Sequence, residues 1–298
     1  MTKHNAAIYV LSSRVNDLGT CLKYLHDNWN KEHQYPIYVN HFDNIYSKEY
    51  IDTIKQTVCE NIPFEQIPYQ RPDHIEEEEL YYNRKHLQYV RERFSINRMG
   101  YLHMCHYTAN ITSFGQLTSP SKSLEKYDYL MRIDDDSWFK KPISEDLFDY
   151  CEQSPITTAI TWNHYGKNHL DTRENLWSFY KSYLTNVGIS YENIKSEQLK
   201  KAVKEDDEHL MHSLHWSCGN LNMYNMKMFK TETFDKYISH VNEYSGTYKH
   251  RWTDLVILGL FCYTHFENPV NDLKLKDKGL YDSKLPTSSY APSVRSMR

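Results

Sequence analysis

The chain has 298 residues, a net charge of −4, and 40% hydrophobic and 25% charged residues, which is the balance of a globular protein large enough to bury a core. It contains no long basic run, and this argues against nucleic acid as the main partner, because phosphate binding needs a clustered cationic face. No apolar stretch approaches the roughly 18 residues of a membrane span, so no integral membrane segment is predicted.

The first half of the chain alternates predicted strands with predicted helices, which implies parallel strand pairs joined by right-handed crossovers. Short apolar runs indicate the strands, and apolar residues at helical spacing indicate the helices. The predicted strands are 6–11, 35–40, 64–68 and 127–133, and the predicted helices are 17–29, 47–58, 76–94 and 100–114.

The second half is mixed, with predicted strands at 156–162 and 218–224 and helices at 176–208, 227–244 and 252–263. From residue 269 onward little periodicity remains, so this tail is predicted to be a loop. The six cysteines are scattered without a CxxC pair, which excludes zinc-ribbon and redox motifs and favours buried free thiols.

These patterns predict an α/β fold in which helices flank a mixed, mainly parallel central sheet. Neither a linker nor an internal repeat is present, so residues 1–298 are predicted to form one domain. The alternating first part covers about 1–135, and the mixed second part with the C-terminal loop covers about 136–298. In such sheets ligands bind at the carboxyl ends of the strands.

An acidic run, Asp134 to Asp136, directly follows the strand predicted at 127–133. Because side chains alternate along a strand, Asp134 and Asp136 are expected on one side and Asp135 on the other. Two such carboxylates suit Mn²⁺ or Mg²⁺ holding a diphosphate, whose developing charge must be neutralised when it leaves. Alone the run is a weak signal, since aspartates are common in turns. Arg132 is interpreted as a structural ion-pair partner, with a phosphate contact as the alternative.

Segments along most of the chain resemble the fungal glycolipid 2-α-mannosyltransferases, which use GDP-mannose, in the same order and at similar spacing. The resemblance implies a nucleotide-sugar glycosyltransferase fold of the GT-A type. Its nucleotide-binding half would cover about 1–135, and its acceptor half with the C-terminal loop about 136–298. The matching segments are 28–36 (FNxKFxYP in the family), 100–107 (SYRHMCRF), 127–139 (YxYYWRVEPDVxF), 215–217 (within HFWSNFE), 250–254 (ERWGDAP) and 278–282 (xxGYxH).

The resemblance implies which residues hold the metal and the nucleotide. Asp134 stands where the family has a metal-binding glutamate, and Asp282 stands where it has a metal-ligating histidine. Together with Asp136 these residues would hold Mn²⁺ (or Mg²⁺) against the diphosphate. Arg14 follows the first strand, near the place where the family holds its nucleotide.

Three further residues are implied at the reacting end. Tyr101 matches a tyrosine beside the donor sugar, and Asp254 matches an acidic residue on the acceptor side. Asn220 falls on a family glutamate and would line the donor sugar, but an amide cannot act as a carboxylate nucleophile. Retention would then need front-face attack assisted by the leaving phosphate, whereas inversion would need a base, for which Asp254 is the candidate.

The expected function is transfer of a sugar, expected to be mannose, from a nucleotide donor, expected to be GDP-mannose, to a saccharide or glycoconjugate hydroxyl. One alternative is a catalytically weak or inactive glycan- or nucleotide-binding protein, which Asn220 motivates. Another is metal-dependent phosphoryl transfer, although no second carboxylate cluster lies nearby in sequence. Family members usually carry a Golgi anchor, whereas this chain starts near its first strand. A cytoplasmic location is therefore expected, with the Golgi lumen as the alternative for a trimmed form.

Overall fold

The computed structural model describes residues 3–42, 46–58, 61–67, 72–83, 98–111, 121–162 and 173–284. Most of its strands have two to five residues. The two longest have six residues each and lie side by side in the centre of the main sheet. The strands are β1 (Ala6–Leu11), β2 (Ile37–His41), β3 (Phe64–Gln66), β4 (Tyr129–Asp134), β5 (Trp138–Phe139), β6 (Ile156–Thr158), β7 (Thr161–Trp162), β8 (Trp216–Ser217), β9 (Leu221–Asn225), β10 (Val270–Asp272) and β11 (Tyr281–Asp282).

Several helices begin at a serine or threonine whose hydroxyl accepts a backbone N–H of the first turn, which satisfies an otherwise orphaned donor. None of the helices in the described ranges is both long and apolar enough to cross a membrane. The helices are α1 (Val15–Leu25), α2 (Lys31–His33), α3 (Lys48–Thr57), α4 (Arg98–Ile111), α5 (Leu176–Asn186), α6 (Glu197–Glu205), α7 (Glu208–His212), α8 (Met226–Phe229), α9 (Glu232–Tyr244), α10 (Gly246–His250) and α11 (Asp254–His265).

Seven strands form the central sheet in the order β10-β6-β9-β4-β1-β2-β3. Strand β9 runs antiparallel to β4 and β6, and the other pairs are parallel. From β1 the chain continues to β2 and β3 on one side, and it later returns to place β4 on the other side. The strand order therefore reverses between β1 and β4, and ligands of such sheets bind at this switch point.

The sheet lies between two apolar layers. Ala7 and Tyr9 of β1 face one layer, while Ala6, Ile8 and Val10 face the other. All five are buried, as expected for a central strand covered on both faces. The predicted α/β class with a mixed, mainly parallel sheet flanked by helices is confirmed.

Free thiols are also confirmed for the described cysteines, all five of which are buried. Cys59 lies outside the described residues. The five are Cys21, Cys105, Cys151, Cys218 and Cys262.

The predicted helix at 76–94 is wrong over its described part. Glu77–Glu79 and Tyr81–Asn83 form separate 3₁₀ turns, and residues 84–94 lie outside the described ranges. A capping box closes the first turn, because the carboxylate of Glu79 accepts the backbone N–H of Glu76 at 3.1 Å. Leu80 then adopts an extended conformation, which ends the turn.

The predicted helix at 176–208 is divided into α5, α6 and the start of α7. The chain leaves α5 at Gly188, whose φ of +68° lies in the left-handed region. It re-enters a helix at Ser196, which caps α6, and Asp206 ends that helix in the left-handed conformation. The sequence-based prediction treated this polar stretch as one helix and overlooked Gly188 and Ser196, which are typical helix-end and helix-start residues.

The sequence also misplaced several strand boundaries. The strand predicted at 156–162 is two strands, β6 and β7, which belong to different sheets. The strand predicted at 218–224 begins only at Leu221, so residues 218–220 form the turn before it. The tail predicted as a loop contains β10 and β11. These strands are two or three residues long and depend on partners far away in sequence.

Candidate active site

The acidic run lies at the carboxyl end of β4, beside the end of β1. Asp134 pairs with Leu11 in the parallel register, so the loop that follows β1 lies next to the run. Asp135 is 1% exposed, whereas the side chains of Asp134 and Asp136 are 22% and 27% exposed. This alternation agrees with the predicted one and leaves two carboxylates at the edge where ligands bind.

Asp135 anchors the loop after β1. One carboxylate oxygen accepts the Ser12 hydroxyl at 2.7 Å and the backbone N–H groups of Ser13 and Arg14 at 3.0 and 2.9 Å. The other oxygen accepts Nε of Arg14 at 2.6 Å. Tyr46 extends the network by donating to Ser12 Oγ at 2.6 Å. The middle aspartate therefore holds the loop after β1 against the end of β4.

Asp136 shares the Arg14 guanidinium, whose Nη1 lies 2.8 Å from its Oδ2. Its Oδ1 is buried and, within the described residues, accepts no hydrogen bond. Burial raises the pKa of Asp136 to about 6; the negative charges of Asp134 and Asp135 add to this shift and Arg14 opposes it. Arg14 therefore pairs with one oxygen of this carboxylate, and the other oxygen has no donor among the described residues, which leaves it available as a ligand to a divalent ion.

Asp134 is held on both oxygens. Arg132 Nη2 donates to Oδ1, and the amide of Asn220 donates to Oδ2, both at 2.9 Å. Asn220 in turn accepts the Cys218 thiol at 2.8 Å, and its backbone carbonyl accepts the Asp134 N–H. The amide predicted to line the donor sugar thus contacts the predicted metal carboxylate directly.

Asp254 lies at the first position of α11 and is 3% exposed. Its Oδ2 accepts Nη1 of Arg132 at 2.8 Å. Burial raises the pKa of Asp254, an effect that Arg132 opposes and the charge of Asp134 reinforces. In this arrangement the carboxylate is not open to an acceptor hydroxyl, and its predicted place on the acceptor side stays a prediction.

Tyr101 lies on α4 and is partly buried. The Arg251 guanidinium stands over its ring, 4.8 Å from the centroid. Burial raises the pKa of Tyr101 well above its usual value, and Asp254 and Cys105 are among its charged or titratable neighbours. The phenol is therefore neutral and is placed near the Arg132–Asp254 pair.

Asp282 lies on β11, which pairs with β5 just after the acidic run. Its Cα partner is Trp138, and the hydroxyl of its neighbour Tyr281 donates to Ser137 Oγ at 2.9 Å. The carboxylate accepts the Ser283 N–H at 2.8 Å and lies 3.9 Å from the Lys140 ammonium. The structure therefore places β11 next to the acidic run, although the two are about 145 residues apart in sequence.

Among the residues that the structure describes, one group of three potential ligands has its atoms within 4.8 Å of one another, and it comprises His4, Asp146 and Asp149. The predicted trio of Asp134, Asp136 and Asp282 is not such a group. The His4 group adjoins the start of β1, at the opposite edge of the sheet, and the ammonium of Lys3 already contacts Asp149 at 2.6 Å.

Sequence reasoning missed two features of the site. The anchoring of the Ser12–Arg14 loop by Asp135 was not predicted, although a middle aspartate facing away from its neighbours was the available signal. Arg132 was expected to form an ion pair, but its partners were not named. A charged residue inside an otherwise apolar strand indicates a buried pair and not where its partner lies.

Carboxylates gathered at the switch point of this mixed sheet are the arrangement of a GT-A type glycosyltransferase. Core-mannan synthase A from Aspergillus fumigatus, solved in an Mn/GDP form, superposes with a TM-score of 0.75 at 19% identity, over 94% of this chain and 74% of that one. Ktr4p from S. cerevisiae in complex with GDP gives 0.72 at 18% identity, over 99% and 76%. These likenesses confirm the fold.

A family model described as glycolipid 2-alpha-mannosyltransferase matches residues 1–268. Glycolipid 2-alpha-mannosyltransferase 1 from Candida albicans is 22% identical in an alignment of 256 positions that covers 83% of this chain and 56% of that protein. The chain thus spans just over half the length of this relative. The chain belongs to the glycolipid 2-alpha-mannosyltransferase family.

Proposed function

We propose that this chain transfers mannose from GDP-mannose to a saccharide hydroxyl with the help of a divalent cation. The observation that carries the proposal is a buried oxygen of Asp136 for which the described residues supply no hydrogen-bond partner. It lies beside Asp134 and Arg14 at the switch point of the sheet. Family membership supports the sugar, and the Mn and GDP forms of the structural relatives support the ion and the base.

The donor set fits a hard cation such as Mn²⁺ or Mg²⁺, because carboxylate oxygens are the ligands it prefers. Asp134 and Asp136 would hold it, and Asp282 on the neighbouring strand pair is the proposed further ligand. When bound, the cation supplies the positive charge that stabilises the departing diphosphate. Arg14 is the proposed second cation at the same edge, because its side chain is 46% exposed there while it pairs with Asp136.

The sugar end of the proposed site consists of Tyr101, Asn220 and Asp254. Asn220 cannot form a covalent glycosyl intermediate, and its amide is already bonded to Asp134. Asp254 is buried and bonded to Arg132, so in this arrangement it is not open to take a proton from an acceptor hydroxyl. Both facts favour front-face attack with retention, so the product should carry the anomeric configuration of the donor.

The test is a transfer assay with purified protein, Mn²⁺, a panel of sugar nucleotides and manno-oligosaccharide acceptors. Turnover with GDP-mannose is expected, with retention seen by NMR of the product. Asp134→Asn should reduce turnover at least about 100-fold, because the electrostatic support of the leaving group is lost, while the circular dichroism spectrum is unchanged. Full activity in Asp134→Asn would remove the acidic run from the mechanism.

A second candidate is a glycan- or nucleotide-binding protein without turnover on the same scaffold. The hydrogen-bonded amide of Asn220, at a position where the family has a glutamate, favours it. Binding of GDP with Mn²⁺ but no transfer or donor hydrolysis across the whole panel would select this candidate over the transferase.

A further inference from the structure

Arg132 lies between two carboxylates that come from remote parts of the chain. Its Nη2 donates to Oδ1 of Asp134 at 2.9 Å, and its Nη1 donates to Oδ2 of Asp254 at 2.8 Å. Arg132 and Asp254 are each 3% exposed, so neither charge is compensated by bulk water. A guanidinium stays charged in this setting, and its planar fork fixes the directions of both bonds.

The position of Arg132 is confined from the remaining sides. Its Nη2 lies 3.1 Å from the Met104 sulfur on α4. A Cβ at Gly219 would lie 3.4 Å from Nη1, which is van der Waals contact, and 3.1 Å from the Leu255 side chain, so this turn borders the guanidinium. With the side chain 3% exposed, these contacts favour a guanidinium that stays beside Asp134 when Asp254 is changed.

The sharing of one guanidinium determines how much negative charge remains on Asp134. With Asp254 present, two carboxylates divide one positive charge, and the three groups together carry −1. Without the charge of Asp254, the confined guanidinium would neutralise Asp134 alone. A neutralised carboxylate is a weaker ligand for a cation, because the attraction depends on the charge that it presents.

We propose that Asp254 is a positioning residue of the metal site: it holds Arg132 and thereby keeps Asp134 oriented and negatively charged for the divalent ion. This inference rests on the metal site of the proposed function. It differs from the expectation that Asp254 acts on the acceptor, since it assigns the effect of Asp254 to the donor side. Helix α11 is thus connected to the acidic run through one buried side chain.

The test is Mn²⁺ binding to Asp254→Asn, measured with the metal alone by the electron paramagnetic resonance signal of the free ion. Affinity about tenfold weaker than that of the unaltered protein is expected, as for loss of groups that orient a ligand. Hydrolysis of GDP-mannose without acceptor should fall in parallel, with a raised KM for the metal. A residue acting only on the acceptor would leave both measurements unchanged.

Two further variants separate this effect from damage to the helix. The Thr253 hydroxyl caps α11 by accepting the Val256 N–H at 3.5 Å. Thr253→Ala removes this cap but leaves the charges of Arg132 and Asp254 in place, so the variant should bind Mn²⁺ normally. The double variant Arg132→Met/Asp254→Asn removes the guanidinium together with the charge of Asp254, so nothing neutralises Asp134. It is therefore expected to bind Mn²⁺ more tightly than Asp254→Asn alone. Equal weakness in these two Asp254 variants would overturn the charge-sharing argument.

The failures are distinguishable. If the unaltered protein binds Mn²⁺ and Asp254→Asn binds it equally well, the inference alone is overturned. If the unaltered protein binds no Mn²⁺, both the proposed metal-dependent function and this inference are overturned.

Discussion

Asp134, Asp135 and Asp136 are adjacent in sequence but contact different parts of the molecule. Asp134 bonds to Arg132 and Asn220, Asp135 to the loop after β1, and Asp136 to the guanidinium of that loop. These different contacts follow from the alternation of side chains at the end of β4, which turns Asp135 inward and leaves Asp134 and Asp136 partly exposed. An acidic triplet at a strand end can thus combine ligands for a cation with an anchor for the neighbouring loop.

Asp135→Asn tests the anchor. One carboxylate oxygen accepts three donors and the other accepts the Arg14 side chain, so the amide group of asparagine must face a donor in either orientation. A loss of about 2–3 kcal/mol in the free energy of unfolding is expected, measured by urea titration. The control is Asp206→Asn, whose exposed side chain accepts Lys181 and the Trp177 indole N–H on the same oxygen. Asparagine can keep that acceptor, so a much smaller loss than for Asp135→Asn is expected.

Asp136 predicts a dependence of stability on pH. Its pKa of about 6 in the folded chain exceeds the usual 3.8, so between these values the folded state binds more protons than the unfolded state. Stability therefore falls as the pH rises from about 4 to 6. The variant Asp136→Asn lacks this titrating group and therefore does not lose stability in this way. In metal-free buffer, the unfolding free energy of the variant minus that of the unaltered protein should rise by about 2 kcal/mol between pH 4 and pH 7. A constant difference would contradict the shifted pKa.

At the scale of elements, the corner between α9 and α11 depends on Gly246. A Cβ there would lie 2.0 to 2.3 Å from three ring carbons of Trp252. The ring is buried, its Nε1 donates to the Glu174 carbonyl at 2.9 Å, and it stacks on Tyr244 at 5.0 Å between centroids. Trp252 lies two residues before Asp254, so this packing also sets where α11 begins.

Gly246→Ala should lower the free energy of unfolding by about 3 kcal/mol, because a rigid, hydrogen-bonded ring must move to admit the methyl group. Gly188→Ala is the matched control. It has open space around its Cβ but a φ of +68°, so backbone strain alone should cost about 1 kcal/mol. Urea unfolding of both variants measures the difference in unfolding free energy. Equal losses would mean that the Trp252 ring can move at little cost in free energy.

For the whole molecule, the sequence predicted the elements that carry their own signal and missed those made by distant pairing. Strands β1 and β4 are continuous apolar runs and were predicted to within two residues. Strand β11 has two residues and exists only because β5 pairs with it from about 143 positions away. The Arg132–Asp254 pair likewise joins residues 122 apart, which no local pattern reveals. The single-domain boundary, the cytoplasmic location and the residue roles in the site stay predictions.

Ligand binding should stabilise the whole fold, because the proposed ligands come from three remote segments: Arg14 after β1, Asp134 on β4 and Asp282 on β11. A ligand that binds only the native state at 100 times its Kd adds about 2.7 kcal/mol, which raises the Tm of a chain of this size by about 5 °C. Mn²⁺ with GDP should give this shift in a thermal melt, and a chelator should reverse it. Asp134→Asn should abolish it, since the cation links the diphosphate to β4. An equal shift with UDP would contradict the choice of guanine, and no shift with any nucleotide would contradict a diphosphate site at this edge of the sheet.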